Sequence, residues 1–67
     1  MKTKKIIARN TCYGDRIIVN GKIYTQFDKS LEDNEVWFAL GKGYTNTIMY
    51  PIKKQVNLII DDRDNNI

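Results

Sequence analysis

The most reactive side chain of this sequence is Cys12, which is its only thiol. The nearest positive charges along the chain are Arg9 and Arg16, and cations close to a cysteine favour the reactive thiolate. Nucleophilic catalysis also needs a base, and the sequence has no histidine to serve as one near neutral pH. We therefore interpret Cys12 as a semi-buried structural thiol and predict that the protein is not an enzyme.

Metal and phosphate sites are not predicted either. With one cysteine and no histidine, the chain lacks the nitrogen and sulfur ligands of a structural zinc site. The acidic run at residues 61–64 lacks the glycine and the downstream glutamate of an EF-hand loop. The stretch Gly41-Lys42-Gly43 lacks the Ser/Thr and the following helix of a Walker motif. We expect no metal and no cofactor.

Tyrosines interleaved with lysines and arginines form the pattern with the clearest binding potential. Exposed tyrosines beside lysines on a β-sheet let nucleic-acid bases stack, and each stacked base contributes about 1–3 kcal/mol. Tyr24 is expected to be exposed, because it alternates with Ile23 and Phe27, which are expected to fill the core. In the alternative interpretation, two or three rings belong to the core and the rest are scattered. The candidate residues for binding a partner or a nucleic acid are Arg9, Arg16, Lys22, Tyr24, Lys42, Tyr44, Tyr50 and Lys54.

The charge of the chain is unevenly distributed along the sequence. Residues 1–30 carry seven basic and two acidic side chains, a balance of +5, whereas residues 31–67 carry four basic and six acidic ones, a balance of −2. This asymmetry favours an anionic partner for the first half. A surface that only keeps the protein soluble would show the same pattern.

Six segments that could position these side chains have the character of short strands. The strongest local signal is Asn20-Gly21, which readily adopts the two positive φ values of a type I′ turn. This hairpin is expected to bring Arg16 and Lys22 close together, with Tyr24 just beyond. The predicted strands cover residues 4–9, 16–19, 22–27, 35–40, 45–50 and 55–60.

Three local features refine this prediction. The nearly continuous apolar run at residues 36–40 predicts a strand covered on both faces, with Trp37 in the core. Ser30 and Asp33 fit a helix-capping pattern, so at most one helical turn is expected there. Pro51 cannot donate to a ladder and marks a strand end or a sheet edge.

Short strands at intervals of roughly 8–12 residues predict a mostly β fold, a small five- or six-stranded antiparallel barrel. Residues 1–60 are expected to form a single domain, and residues 61–67 a flexible acidic tail. The stretch Gly14-Asp15-Arg16-Ile17-Ile18-Val19-Asn20-Gly21-Lys22 resembles hairpins common in SH3-like barrels. This resemblance implies an SH3-like or OB-like barrel and transfers no function.

The sequence predicts a cytoplasmic protein without a membrane partner. No apolar run approaches the roughly 20 residues that a membrane helix needs, and the stretch at residues 6–8 is shorter than the apolar region of about 7–15 residues in a signal peptide. An unpaired cysteine is consistent with the cytoplasm.

Two functions are left open by the sequence. The first is a non-catalytic protein-interaction module, an adaptor or inhibitor that binds a larger host protein. The strand next to Pro51 could add to a partner sheet. The abundance of Ile, Lys and Asn is typical of a small protein from an AT-rich bacterial or phage genome, and we expect an adaptor or inhibitor of phage or mobile-element type. The alternative is a nucleic-acid-binding barrel that uses the basic hairpin and exposed tyrosines. Either function is compatible with a homo-oligomer, because 67 residues give little material to cover both faces of the run at residues 36–40.

Overall fold

The computed structural model describes residues 1–41 and 46–60, and its strands form one antiparallel sheet. The order across the sheet is β1-β6-β2-β3-β4-β5. The strands are β1 (Thr3–Ile7), β2 (Arg16–Val19), β3 (Lys22–Ser30), β4 (Glu35–Leu40), β5 (Thr47–Pro51) and β6 (Gln55–Ile59).

The mostly β, antiparallel character predicted from the sequence is confirmed, with six strands in the described ranges. Strands β2 to β5 form a meander, and β6 returns to lie between β1 and β2. Because β1 and β5 lie at opposite edges of the sheet, closure into a barrel is not confirmed. The predicted tail at residues 61–67 lies outside the described residues. Within the described ranges, no helix has the length and apolar character needed to cross a bilayer.

The hairpin between β2 and β3 turns at Asn20 and Gly21, as predicted. Their φ angles are 52° and 78°, and a type I′ turn requires positive φ at both central positions. The flanking residues Val19 and Lys22 are paired, so the turn itself contains only two residues. The local sequence is therefore sufficient to define this connection.

Replacing Gly21 with valine should destabilise the protein by about 1–2 kcal/mol, because a side chain disfavours the left-handed conformation. Nothing lies within 4 Å of the position that a Cβ atom would take at Gly21, so the loss would report on backbone conformation and not on a clash. Urea unfolding measures the effect. The control is Asn20→Gly, which tolerates positive φ and should have the smaller effect; equal losses would contradict a type I′ turn.

The hydrophobic core lies on one face of the sheet. In the β4–β5 ladder, Val36 lies opposite Tyr50 and Phe38 lies opposite Ile48. Both Val36 and Phe38 are fully buried. The buried residues that contact one another, which we call the core cluster, are Ala8, Ile17, Val36, Phe38 and Val56.

Trp37 lies on the other face of β4 and is half-buried, so its predicted place in the core was wrong. Neighbouring side chains of a strand point to opposite faces. A continuous apolar run therefore allows either Trp37 or the pair Val36 and Phe38 to face inward. The expectation that this strand is covered on both faces is confirmed at Phe38 and Ala39, which are adjacent and both buried.

The helical turn predicted near Ser30 does not form there. Strand β3 continues to Ser30, past a register shift between Gln26 and Asp28. The Ser30 hydroxyl donates to Asp33 Oδ2 over 3.0 Å and accepts from the Asp33 N–H over 3.2 Å. This interaction, which resembles a helix cap in the sequence, instead closes the turn between β3 and β4. In the described part of the chain the helical element is a 3-10 turn at Ala8–Asn10.

This 3-10 turn links the end of β1 to the connection between β5 and β6. The N–H of Ala8 donates to the carbonyl oxygen of Lys54 over 2.7 Å, and that of Arg9 donates to the carbonyl oxygen of Ile52 over 2.8 Å. The segment that follows one edge strand is thus hydrogen-bonded to the segment that follows the other.

A polar network that is buried at Gln26 and Thr11 holds the 3-10 turn against β3. Gln26, only 2% exposed, donates through Nε2 to the Thr11 carbonyl oxygen over 2.9 Å and to Thr11 Oγ1 over 3.0 Å. Thr11 Oγ1 donates to the carbonyl oxygen of Ala8 over 2.7 Å. Lys29 Nζ donates to the carbonyl oxygens of Arg9 and Thr11 over 3.0 and 2.8 Å. Among the described residues, every buried side-chain nitrogen and oxygen has a partner.

Candidate functional site

The two edge strands of the sheet carry different side chains. β1 contains Lys4 and Lys5, follows Lys2, and all three lysines are exposed. β5, with the sequence TIMYP, contains no charged residue. Lysines on an edge strand oppose pairing with another chain. The β5 edge, which we define as Thr47–Pro51, lacks this protection and is the first candidate site.

The backbone of the β5 edge offers hydrogen-bonding groups to a further strand. The Leu40 N–H donates to the Asn46 carbonyl oxygen over 2.7 Å, so the backbone of Asn46 faces β4. Along an antiparallel strand, the N–H and carbonyl groups of successive residues point alternately to one neighbouring strand and to the other. Those of Thr47 and Met49 therefore point away from β4, and among the described strands β5 pairs with β4 alone. Pro51 has no N–H and ends the row.

An apolar surface lies beside this row of backbone groups. Met49 is 41% exposed, and it is the cross-strand partner of the half-buried Trp37. Methionine adapts its shape to different surfaces, and tryptophan is enriched among the residues that dominate binding energy in protein interfaces. The β5 edge therefore combines open backbone groups with apolar side chains.

A second candidate site lies where β2 and β6 separate. Their pairing covers only Ile17 with Leu58 and Ile18 with Asn57. An open cleft of about 200 Å³ lies beside the end of this ladder. We call it the amide cleft, because three of its lining residues carry carboxamides; it is lined by Ile18, Val19, Asn20, Tyr50, Gln55, Val56 and Asn57.

Tyr50 and Lys54 are two predicted binding residues that the structure brings into contact. Lys54 Nζ lies 5.9 Å from the centroid of the Tyr50 ring, within the range of a cation–π interaction. The same ring lies 6.1 Å from that of Phe38, at an interplanar angle of 56°. Tyr50 is therefore held by the core on one side and contributes to the amide cleft on another.

The backbone next to Arg9 is close to that of Lys54, because the N–H of Ala8 donates to the Lys54 carbonyl oxygen. The sequence predicted that Arg16 and Lys22 are neighbours across the hairpin, and this prediction was wrong. Arg16 pairs with Thr25, whereas Lys22 pairs with Val19 three positions further along β2. Because Arg16 and Val19, the partner of Lys22, are an odd number of positions apart, the side chains of Arg16 and Lys22 also lie on opposite faces of the sheet.

Tyr24 is half-buried and packs against the core cluster, so the expectation of an exposed ring was wrong. Its partner in the ladder is Ile17, which is fully buried, and this register turns Tyr24 inward and Ile23 outward. Tyr50 also packs against the core cluster. Lys42 and Tyr44, the remaining predicted site residues, lie outside the described residues.

Potential metal ligands do not cluster in the described part of the chain. Cys12 is exposed, not semi-buried as predicted, and its backbone N–H donates to Asp15 Oδ2 over 2.7 Å. No group of three or more potential metal ligands is present in residues 1–41 and 46–60.

Sequence reasoning missed the carboxamides of the amide cleft and the cross-strand pair of Trp37 and Met49. Both arise from pairing between distant segments, which no local pattern reports. The chain matches no family model, no curated protein and no solved structure.

Proposed function

We propose that this protein is a non-catalytic protein-interaction module, an adaptor or inhibitor of phage or mobile-element type, which binds a larger host protein in the cytoplasm through the β5 edge. The observation that carries the proposal is the contrast between the two sheet edges, one lined by lysines and the other uncharged. The finer fold assignment, an SH3-like or OB-like barrel, belongs to the same proposal. It is supported by the hydrogen bonds that Ala8 and Arg9 make with the β5–β6 connection.

Binding would occur by strand addition. A partner strand lying beside β5 would exchange hydrogen bonds with the backbone of Thr47 and Met49 and place an apolar side chain against Met49 and Trp37. Pro51 would limit the added strand to a few residues. Each backbone hydrogen bond contributes about 0.5–1.5 kcal/mol, while association costs roughly 4–15 kcal/mol. The edge alone is therefore too weak, and the partner must also cover apolar surface around Trp37.

The alternative, a nucleic-acid-binding sheet with exposed tyrosines, is less well supported. It requires rings that are free to stack, and both Tyr24 and Tyr50 pack against the core cluster. A homo-oligomer remains a specific outcome of the test below, because a second copy could also supply the added strand.

Replacing Thr47 with proline should abolish partner capture while preserving the fold, because it removes an N–H that points away from β4. The matched control is Thr3→Pro on the other edge. The Ile60 N–H donates to the Lys2 carbonyl oxygen, so by alternation the backbone of Thr3 also points away from its neighbour strand. Both variants lose an outward N–H on an edge strand, where proline is tolerated.

The measurement is affinity capture from a nuclease-treated bacterial lysate, followed by cross-linking through a photoreactive residue at position 49. The proposal expects one larger protein that is captured by the wild type and by Thr3→Pro, lost with Thr47→Pro, and cross-linked at position 49. Equal capture by the two proline variants, or no specific partner, would refute it. A cross-link to a second copy, with a dimeric mass by light scattering, would replace the host protein with self-association.

A further inference from the structure

We propose that the strand added at the β5 edge is a basic one, with a lysine or arginine that pairs with Glu35. This cation lies two positions from the apolar side chain that packs against Met49 and Trp37. The inference rests on the proposed function, because it names the chemistry of the partner at the same edge. It is carried by the register of β3, β4 and β5, which places carboxylates beside that apolar surface.

The acidic side chains in the described part of the chain are concentrated near one end of the sheet. Four of the five lie between residues 28 and 35, at the end of β3, in the turn that follows and at the start of β4. The exposed lysines of β1 belong to the edge farthest from β5. The sheet is therefore polarised in charge, and its negative side lies next to the β5 edge. The four acidic residues are Asp28, Glu32, Asp33 and Glu35.

Two of these carboxylates share the sheet face that carries Trp37 and Met49. Asp28 is the cross-strand partner of Trp37, which in turn is the partner of Met49, so the three side chains form one row that ends at the β5 edge. Glu35 lies two positions before Trp37 in β4 and therefore on the same face. Its partner in the ladder is Pro51. Glu35 is thus separated from the open edge by a single strand.

A residue of the added strand that lies opposite Pro51 would face Glu35 across the proline. Neighbouring strands are about 4.8 Å apart, so the Cα atoms of this residue and Glu35 would be roughly 10 Å apart. A glutamate together with a lysine or arginine can span that distance. Glu35 is half-buried, and a strand beside β5 would shield it further from water. A carboxylate shielded in this way favours a cation as its neighbour and disfavours another anion.

The cation nearest to Glu35 along the sequence is engaged on the other face of the sheet. Lys29 pairs with the buried Val36, and its Nζ donates to the carbonyl oxygens of Arg9 and Thr11. A second copy that paired β5 with β5 would supply no cation from its paired strand, because β5 contains no charged residue. The charge around Glu35 therefore favours a different protein over a second copy.

The register also defines a spacing in the sequence of the partner. Residues opposite Met49 and Pro51 are two positions apart on the added strand and share a face. In an antiparallel strand the cation precedes the apolar residue, and in a parallel strand it follows. The partner segment is thus basic-x-apolar in the first case and apolar-x-basic in the second.

The test uses the same capture and cross-linking as the test of the β5 edge, with Glu35→Gln and Glu32→Gln as matched variants. Glu32 is exposed in the turn between β3 and β4, outside the rows that lead to the edge. We expect Glu35→Gln to weaken capture about fivefold, as for a strong ion pair at a surface, and Glu32→Gln to change it less than about twofold. Lys53→Gln, which removes an exposed cation from the turn after Pro51, should not weaken capture.

The cross-linked segment gives a second readout that does not depend on affinity. After cross-linking at position 49, sequencing of the captured segment by mass spectrometry should find a lysine or arginine two positions from the cross-linked residue. Exchanging that cation for glutamate in the captured protein should weaken binding to the wild type. Glu35→Lys should then restore most of the lost affinity, whereas Glu32→Lys should not. Circular dichroism verifies that each variant is folded.

The outcomes separate this inference from the proposed function. Capture that is lost with Thr47→Pro but weakened equally by Glu35→Gln and Glu32→Gln would overturn the basic strand and leave the β5 edge in place. A cross-linked segment without a cation at the stated spacing would do the same, as would weaker capture by Lys53→Gln, which indicates an acidic partner. Capture that is insensitive to Thr47→Pro, a cross-link to a second copy, or no specific partner would refute the proposed function, and the basic strand with it.

Discussion

Phe38→Ala should lower the free energy of unfolding by about 3–5 kcal/mol, because it removes a large ring from a well-packed core. Phe38 is 0% exposed and belongs to the core cluster. At roughly 0.05–0.15 kcal/mol per residue, a chain of 67 residues has a total stability of about 3–10 kcal/mol. The loss is therefore a large fraction of the total stability, and the variant should unfold at a much lower urea concentration than the wild type, which urea titration followed by circular dichroism will measure.

Trp37→Ala is the control for this experiment. Its side chain is larger but half-buried on the opposite face of β4, and we expect a loss of about 1–2 kcal/mol, within the range of ordinary substitutions. A greater loss at Trp37 than at Phe38 would mean that β4 is shifted by one residue, because such a shift exchanges the two faces of a strand.

The second large effect concerns the buried pair of Gln26 and Thr11. Gln26→Leu should cost about 1–3 kcal/mol, because it removes the Nε2 donor and leaves the Thr11 hydroxyl without one of its partners. Thr11→Val should cost a similar amount, since the carbonyl oxygen of Ala8 then loses the hydroxyl donor. The double variant should cost less than the sum, with a coupling energy of about 0.5–3 kcal/mol.

Thermal unfolding of the wild type, both single variants and the double variant measures this coupling. Thr25→Val is the control, because Thr25 is the neighbour of Gln26 in β3 and faces the other side of the sheet. If the loss in the double variant equals the sum of the losses in the two single variants, the hydrogen bonds of Gln26 to Thr11 do not act as a unit.

The sequence was most informative where structure is decided locally. The turn at Asn20 and Gly21 depends on the φ angles that two adjacent residues tolerate, and it was predicted correctly. The directions of Trp37 and Tyr24 depend on register with distant strands, and both were predicted wrongly. In β4 both interleaved sets of side chains were hydrophobic enough to face inward, so alternation alone could not choose between them. In β3 the inward set contains Tyr24 and the polar Gln26, so hydrophobicity favoured the wrong face.

The candidate sites were only partly accessible to sequence reasoning. The open strand next to Pro51 could be predicted, because proline in a strand marks an edge. The amide cleft could not, because it depends on where β2 and β6 part, and Ile18 and Asn57 are far apart in the chain. The buried role of Gln26 was also hidden, since glutamine in a strand is usually taken to face solvent.

The contrast between the two edges of the sheet has a consequence for stoichiometry. A head-to-tail polymer would require β5 of one molecule to pair with β1 of the next, and every such junction would bury the exposed lysines of β1. Heterologous contacts that do not close produce fibres, and this arrangement opposes them. A sheet that can accept a strand only at its β5 edge admits a single added strand. The assembly would therefore stop at one partner for each molecule or, if β5 pairs with β5 of a second copy, at a closed dimer.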